Sequence, residues 1–469
     1  MTLLTGFLLG LPAVVAVIDG EVRTIYAYFL SMAITLAFGA MFRRIGRDVT
    51  GVVQRKEALV IVGLIWVMLG FFGSIPFMIE GSIKDLPSAV FETVSGFTTT
   101  GATVISDIDH LSRATNLWRC LMHWIGGMGI VVLFIAIFPQ LGVGARHLFK
   151  TESAGPITEG IRPKIRQTAM TLWWVYAAMT VICTILLKLA GMNWFEAVCH
   201  AFSTLGTGGY STRSASVAAF NSPLIDWILI IFMFIAGLNF ALFYGALRGK
   251  VRDLFTNYEV RWFFFINVIV GLALFLLTRE RHDSWMTGIR HAFFQTLAVT
   301  STTGFATEDF DTYPDVARFL LFLCMFIGGC AGSTAGGLKV SRVYAVFKLM
   351  MREVQLVIRP QAIIAVKLGK KPVAPDVLTE ILIYLVSYFF IFAICSVVMV
   401  MYGYDLLSAM SSVVACLSSV GPGLGEFGPS HNFGAVPGAG KYMLSFCMIA
   451  GRLEIFVLLA LLSPTFWKR

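Results

Sequence analysis

Hydrophobic residues run along this chain in long unbroken stretches, and polar residues are confined to the intervals between them. A bilayer hydrocarbon core about 30 Å thick needs about 20 apolar residues per helix. Stretches at 3–18, 25–42, 57–79, 117–139, 168–190, 223–247, 260–278, 316–338, 377–402 and 441–463 meet that length, the first only marginally, and predict ten membrane-spanning helices. Four of the intervals differ from ordinary connections. They lie between spans three and four, five and six, seven and eight, and nine and ten, and each begins with about 12 residues of helix-compatible sequence, roughly 18 Å at 1.5 Å per residue. That length crosses half a bilayer, so each interval predicts a re-entrant helix and loop.

The four intervals are copies of one phrase: AVFETVSGFTTTGATV from Ala89, AVCHAFSTLGTGGYST from Ala197, AFFQTLAVTSTTGFAT from Ala292 and AMSSVVACLSSVGPGL from Ala409. Aligned without gaps, each has a hydroxyl residue at its eleventh place (Thr99, Thr207, Thr302, Ser419) and glycine at its thirteenth (Gly101, Gly209, Gly304, Gly421). The place between them holds Thr100, Gly208, Thr303 and Val420. Four such units can encircle one axis. A second pattern is in phase with the first: Ile125-Gly126-Gly127, Ile235-Ala236-Gly237, Ile327-Gly328-Gly329 and Ile449-Ala450-Gly451. Small-residue pairs in membrane helices are packing points, and their recurrence places a close-packed waist below the ring. The expected fold is an all-α membrane protein with two N-terminal helices (1–45) and four helix, pore-loop, helix repeats (46–145; 146–250 with a linker; 251–350; 351–469) around a central pore.

Composition agrees, with 57% hydrophobic and 13% charged residues and a mean hydropathy of +0.79. The first apolar run has no basic residue before it and no A-x-A site after it, so it reads as a helix rather than a cleaved signal peptide. Eight scattered cysteines form no C-x-x-C pair and read as small core residues. The net charge of +9 does not form the basic stripe on a soluble face that nucleic-acid binding requires. Instead 24 of the 36 Lys and Arg residues fall in the connections 43–56, 146–166, 248–261 and 339–371 and in the C-terminal tail. By the positive-inside rule those segments and both termini are cytoplasmic, and the phrases enter from outside. Asp107, Asp109, Glu308, Asp309, Asp311, Asp315 and Glu426 follow the phrases and offer a negative outer vestibule, or simply a solvated loop face.

Backbone carbonyls replace the water of a dehydrating K⁺ ion without the trapping effect of a full charge. They can face a pore only where the backbone is extended and crowded against the axis, which glycine permits. A half-helix directing its C-terminal end at the centre adds partial negative charge. Ser419-Val420-Gly421 is similar to the T-V-G of the tetrameric K⁺-channel filter, with Thr-Thr-Gly in copies one and three and Thr-Gly-Gly in copy two. None has the full T-V-G-Y-G, so fewer ion sites and weaker K⁺ over Na⁺ discrimination are expected.

The third unit also carries IGGCAGSTAGGLKV, from Ile327 to Val340. Gly328, Gly329, Gly332, Gly336 and Gly337, with Ser333 and Thr334 among them and Lys339 at the end, disfavour a helix by up to about 1 kcal/mol per glycine. The run reads as a broken helix whose loop blocks the pore; tight helix packing is the alternative. Arg452 lies inside the last apolar stretch, where an arginine is costly and faces a cavity or a partner. It reads either as an electrostatic barrier below the ring or as a structural residue paired with Glu454 or a carbonyl. Gly423-Leu-Gly425-Glu-Phe-Gly428 fits the dinucleotide fingerprint but follows no strand and opens no helix at a suitable spacing.

Together these residues resemble the Trk/Ktr/HKT superfamily of K⁺ transporters, and its TrkH branch in particular. The two extra N-terminal helices and the linker from Ala145 to Pro156 point to that branch. The resemblance implies that Gly101, Gly209, Gly304 and Gly421 are the filter glycines, that Gly328 to Lys339 is an intramembrane gating loop, and that Arg452 lies below the filter. It further implies a homodimer with one pore per protomer, a cytosolic nucleotide-binding (NAD/ATP) partner of the TrkA type, K⁺ as the transported ion, no covalent cofactor, and a bacterial inner-membrane location. The basic segment 339–371 is a docking face for that partner or a contact for anionic lipid. Other expectations left open are coupling to H⁺ or Na⁺ and membership in an ATP-driven K⁺ pump. A membrane enzyme lacks any metal cluster, triad spacing or phosphate loop, and the seven histidines are dispersed.

Overall fold

The computed structural model describes residues 1–47, 55–136, 161–369, 371–453 and 455–467. The expected linker from Ala145 to Pro156 and Glu454 lie outside the described residues. Among the described residues the chain is mostly helical, with one two-stranded sheet pairing Lys367–Leu368 with Lys371–Pro372. Among the described residues six helices are long and apolar enough to cross a membrane: Thr2–Asp19, Val22–Ile45, Leu59–Glu80, Ala169–Leu189, Tyr258–Arg281 and Pro375–Met401. Two bent pairs, Pro223–Ala236 with Phe240–Leu247 and Gly438–Arg452 with Ile455–Leu461, raise the number to eight if each is one span.

Only 28–39% of the apolar windows in the six long helices is buried inside the protein. The outward faces carry Trp174, Leu189, Phe265, Ile269, Leu276, Val386 and Phe390, all exposed. Exposed apolar surface on this scale would aggregate in water and is what lipid tails solvate. The chain is therefore a multi-pass membrane protein.

Three of the apolar stretches are not straight helices. The stretch 223–247 bends by 94° where Gly237 caps one helix and Asn239 starts the next, its side chain accepting from the Ala241 amide at 2.8 Å. The stretch 316–338 is helical only over Asp315–Cys324, after which the glycine-rich run leaves the helix. The stretch 441–463 is the second bent pair. Hydropathy reports apolar length and is blind to such breaks.

Four short helices, Leu86–Phe97, Trp194–Leu205, Trp285–Thr300 and Leu406–Leu417, begin the four phrases and end at the ninth residue of each. Three begin on a side-chain cap. Asp85 accepts from the Ser88 amide, Asn193 forms a capping box with Glu196, and Asp405 accepts from Leu407 and Ser408. Their buried faces are held by the long helices through hydroxyl and indole contacts: Thr300 Oγ1 donates to Asn267 Oδ1 at 2.6 Å, and Tyr388 and Ser418 share a 2.6 Å hydrogen bond. Trp118 Nε1 donates to the Gly73 carbonyl at 3.1 Å, tying the helix after phrase one to the preceding span.

Candidate functional site

All four short helices end in the same way. The eleventh residue takes a left-handed backbone, with φ of 56° at Thr99, 54° at Thr207, 57° at Thr302 and 60° at Ser419. The twelfth residue's amide donates back to the seventh carbonyl: Thr100 to Ser95 at 2.9 Å, Gly208 to Ser203 at 2.8 Å, Thr303 to Ala298 at 2.9 Å and Val420 to Ala415 at 2.8 Å. This is the six-to-one bond of a Schellman cap, with a hydroxyl residue where glycine is usual. A left-handed backbone at threonine is uncommon and costs free energy. Its presence in all four copies marks a geometry imposed by the site.

Two residues later the backbone is left-handed again, at Gly101 (83°), Gly209 (78°), Gly304 (76°) and Gly421 (98°). Here glycine is required for space as well as for φ. A Cβ on Gly101 would overlap the Gly208 carbonyl oxygen, one on Gly209 that of Thr303, and one on Gly304 that of Val420. A Cβ on Gly421 would sit 2.7 Å from the Thr100 carbonyl oxygen. Loop one abuts two, two abuts three, three abuts four, and four returns to one, so the four loops close a ring of backbone. Each glycine lies four residues beyond its helix, so the ring's edge receives the partially negative C-terminal ends of four helix dipoles. Two of the hydroxyls, Thr99 Oγ1 and Ser419 Oγ, are buried with no hydrogen-bond partner. Unsatisfied oxygens at a ring of strained backbone form a donor set suited to a dehydrated cation.

The glycine-rich run lies against this ring. The Gly336 amide donates to Thr302 Oγ1 at 2.7 Å, and a Cβ on Gly336 would meet Ser418 and Ser419. Thr334 Oγ1 donates to the Leu205 carbonyl at 2.9 Å and lies 3.2 Å from that of Ala236. Gly332 and Gly337 have positive φ, and the run folds back on itself through Gly328 to Leu338 at 2.9 Å and Leu338 to Phe326 at 3.0 Å. Gly329 packs beside the Gly237 carbonyl, while Ser333 Oγ donates to Cys330 at 2.6 Å. Lys339 Nζ donates to the Ala335 carbonyl. Arg452, buried to 3% exposure, donates from Nη1 to the Thr334 carbonyl at 2.6 Å and from Nη2 to that of Gly126 at 3.3 Å. The run thus touches elements of phrases two, three and four, and Arg452 ties it to the helix after phrase one.

The recurrent glycines of the following helices serve close approach. A Cβ on Gly126 would strike the Phe97 carbonyl and one on Gly451 that of Leu417, each the last residue of its own short helix. Three of the seven outer carboxylates face arginines: Asp109 faces Arg213 at 3.8 Å, and Asp311 and Asp315 pair with Arg318 at 2.9 and 3.2 Å. Glu308 lies between His282 and His291 at 3.4 and 3.3 Å, and its carboxyl is pushed above the usual range by burial. These pairings reduce the negative charge that the outer loops present. Asp109 and Arg213 are distant in sequence, whereas Arg318 lies within seven residues of both its carboxylates.

Sequence reasoning also passed over a fully buried column behind loops one and two. Glu92 accepts from Arg119 Nε at 2.8 Å and from the Val104 amide at 2.9 Å. The Arg119 guanidinium lies 4.0 Å from the centre of the Tyr210 ring, which stacks on His123 at 4.1 Å. Tyr210 OH donates to the Glu92 carbonyl at 3.1 Å, with the Ala102 carbonyl at 3.2 Å. Arg119 inside an apolar stretch and Glu92 inside the first re-entrant phrase were the available signal.

Known proteins share this plan. The chain matches the TrkH family, described as a cation transport protein, over residues 25–468. It is 39% identical over 448 residues to the Trk system potassium uptake protein TrkH of Halomonas elongata, covering 94% of this chain and 92% of that protein. With the protein of the same name from Escherichia coli K12 the identity is 37% over 479 residues, covering 100% of this chain and 99% of that one. The crystal structure of the potassium transporter TrkH from Vibrio parahaemolyticus superposes with a TM-score of 0.91 at 36% identity, covering 100% of this chain and 97% of that one.

Proposed function

The chain belongs to the TrkH family of cation transport proteins, and from that premise we propose that it carries K⁺ into the cell through a channel-like pore. Four pseudo-fourfold repeats surround that pore, in a ten-span arrangement with cytoplasmic termini in an inner membrane. Backbone carbonyls and hydroxyls of Thr99 to Gly101, Thr207 to Gly209, Thr302 to Gly304 and Ser419 to Gly421 are the filter. The single observation that carries this reading is the cyclic abutment of the four loops, each glycine against the carbonyl of the next. Rb⁺ passes as a K⁺ surrogate, and Na⁺ passes in part, because only one glycine layer is shared by all four copies.

The Gly328 to Lys339 loop is the gate, and the hydrogen bonds from Gly336 to Thr302 and from Arg452 to Thr334 hold it shut. Arg452 therefore acts as a latch. Opening is governed by a cytosolic nucleotide-binding subunit of the TrkA type acting on a homodimer through the basic segment 339–371. Support for a regulatory partner comes from the relatives' own names, which describe one protein of a Trk system.

No energy source need reside in the chain. A membrane potential near 150 mV supplies about 3.5 kcal/mol, an inward gradient of a few hundred. The test is ⁸⁶Rb⁺ uptake into vesicles holding the purified protein under an inside-negative potential. Uptake without a proton or Na⁺ gradient is expected; strict dependence on either would replace the channel-like mechanism with symport.

A further inference from the structure

Each ring loop needs something behind it. In copy one, Thr98 and Thr100, the tenth and twelfth residues, share a 2.8 Å hydrogen bond beneath the strained eleventh. In copy three, Ser301 and Thr303 do the same at 2.7 Å. In copy four, Ser418 bonds Tyr388 OH at 2.6 Å while the Val420 side chain fills the space, fully buried. Copy two has glycine at both places, Gly206 and Gly208, so neither place offers a side chain, and its own brace is limited to Thr207 Oγ1 donating to the Gly206 carbonyl at 2.7 Å.

One residue from the helix after phrase one fills both gaps. A Cβ on Gly206 would lie 2.5 Å from the His123 carbonyl oxygen, and the three atoms nearest to a Cβ on Gly208 are Nδ1, Cγ and Cε1 of the His123 imidazole. The ring is fully buried, with Nδ1 at 3.4 Å from Ser203 Oγ and 3.5 Å from the Tyr210 amide. Its other face stacks on Tyr210, which is held in turn by Arg119 and by the Glu92 and Ala102 carbonyls of copy one. The imidazole is the end of a rigid column running from loop one to the back of loop two.

We propose that His123 is a positioning residue for ion selectivity, standing in for the side chain that copy two lacks and fixing the spacing of loops one and two. Discrimination between K⁺ and Na⁺ by carbonyl dipoles depends on how many oxygens reach the ion and on how freely they follow a smaller one. A loop backed by empty space can close around Na⁺. The inference rests on the reading of the ring as a K⁺ filter.

The test is a double-mutant cycle on His123→Ala and Gly208→Thr, read as the ratio of K⁺ to Na⁺ competition against ⁸⁶Rb⁺ uptake in vesicles. Folding is checked by size-exclusion profile. His123→Ala is expected to lower the K⁺/Na⁺ preference by roughly threefold to tenfold, equivalent to about 1 kcal/mol. Gly208→Thr alone sets its side chain against the imidazole and is expected to lower the K⁺/Na⁺ preference as well, in reduced but measurable uptake. The double variant, in which the threonine occupies the vacated space, recovers most of the preference. If His123→Ala does not fold, His123→Gln carries the same test, with a smaller loss in the same direction. An unchanged ratio in a folded His123 variant, or a double variant no more selective than His123→Ala, overturns the proposal. Failure of the unaltered protein to take up Rb⁺ would instead overturn the K⁺-pore reading itself.

Discussion

The helices that follow phrases one and three start from the same motif and end differently. Ile125-Gly126-Gly127 sits inside a helix unbroken from Arg113 to Ala136, whereas Ile327-Gly328-Gly329 begins the segment where helix has already stopped. A glycine pair alone is tolerated in a helix, because each costs only about 1 kcal/mol relative to alanine. Three further glycines, two of them with positive φ, convert the third copy into a loop. The four ring copies share backbone geometry to within a few degrees at the hydroxyl residue, as the proposed binding of one ion by equivalent oxygens requires. On the proposed reading a gate needs one moving part, and the broken third copy is the candidate for it.

The sharpest way to break the ring is Gly101→Ser. A left-handed backbone costs a non-glycine residue roughly 1–2 kcal/mol, and the new Cβ overlaps the Gly208 carbonyl besides. Rb⁺ uptake is expected to fall by about tenfold or more in a protein that still elutes as a folded species; wild-type uptake would show that the ring is not the ion path. The gate comes next. Arg452→Lys keeps the charge but loses the two-pronged grip on the Thr334 and Gly126 carbonyls, and charged hydrogen bonds contribute about 1.5–3 kcal/mol. Basal uptake without any partner should rise about tenfold if Arg452 is a latch and remain unchanged if it is only a positive barrier.

A smaller effect separates the copies further. Thr302→Val removes the acceptor for the Gly336 amide and should raise basal uptake about fivefold, the worth of one neutral hydrogen bond. Thr99→Val removes a hydroxyl that has no hydrogen-bond partner, and should leave basal closure intact. Equal effects would deny that the loop rests on copy three.

The smallest effect concerns the caps. Partial burial raises the Asp405 carboxyl, but hydrogen bonds from Ser408 and Leu407 outweigh it and hold the group below the usual carboxylate range. Its stabilisation is therefore present above the unfolded value of about 3.9 and lost as pH falls through the lower folded value. Asp405→Ala should cost about 1 kcal/mol, seen as a lower melting temperature at neutral pH that converges with the unaltered protein in acid. Ser284 makes no side-chain cap bond, so Ser284→Ala should barely register.

Register makes the ring residues legible in the sequence, because four copies constrain one another where a lone Thr-Thr-Gly would read as a turn. The long helices were readable for the same reason that makes them insert in lipid, their apolar length. Breaks inside apolar stretches were less so. Gly237 and Asn239 bend a stretch whose hydropathy never dips, and only their joint role as cap and start explains it. Least readable were contacts between distant residues. Arg119 and Glu92 stand out as charges in apolar surroundings, but nothing in a single sequence pairs them with Tyr210 or ties the imidazole of His123 to the missing side chain of Gly208.

The central claim, that four loops make one cation site, is tested most directly by anomalous diffraction from crystals grown in Rb⁺. Peaks on the axis enclosed by Gly101, Gly209, Gly304 and Gly421 are the predicted result. Rb⁺ bound elsewhere in the protein, with no peak inside that ring, would contradict it.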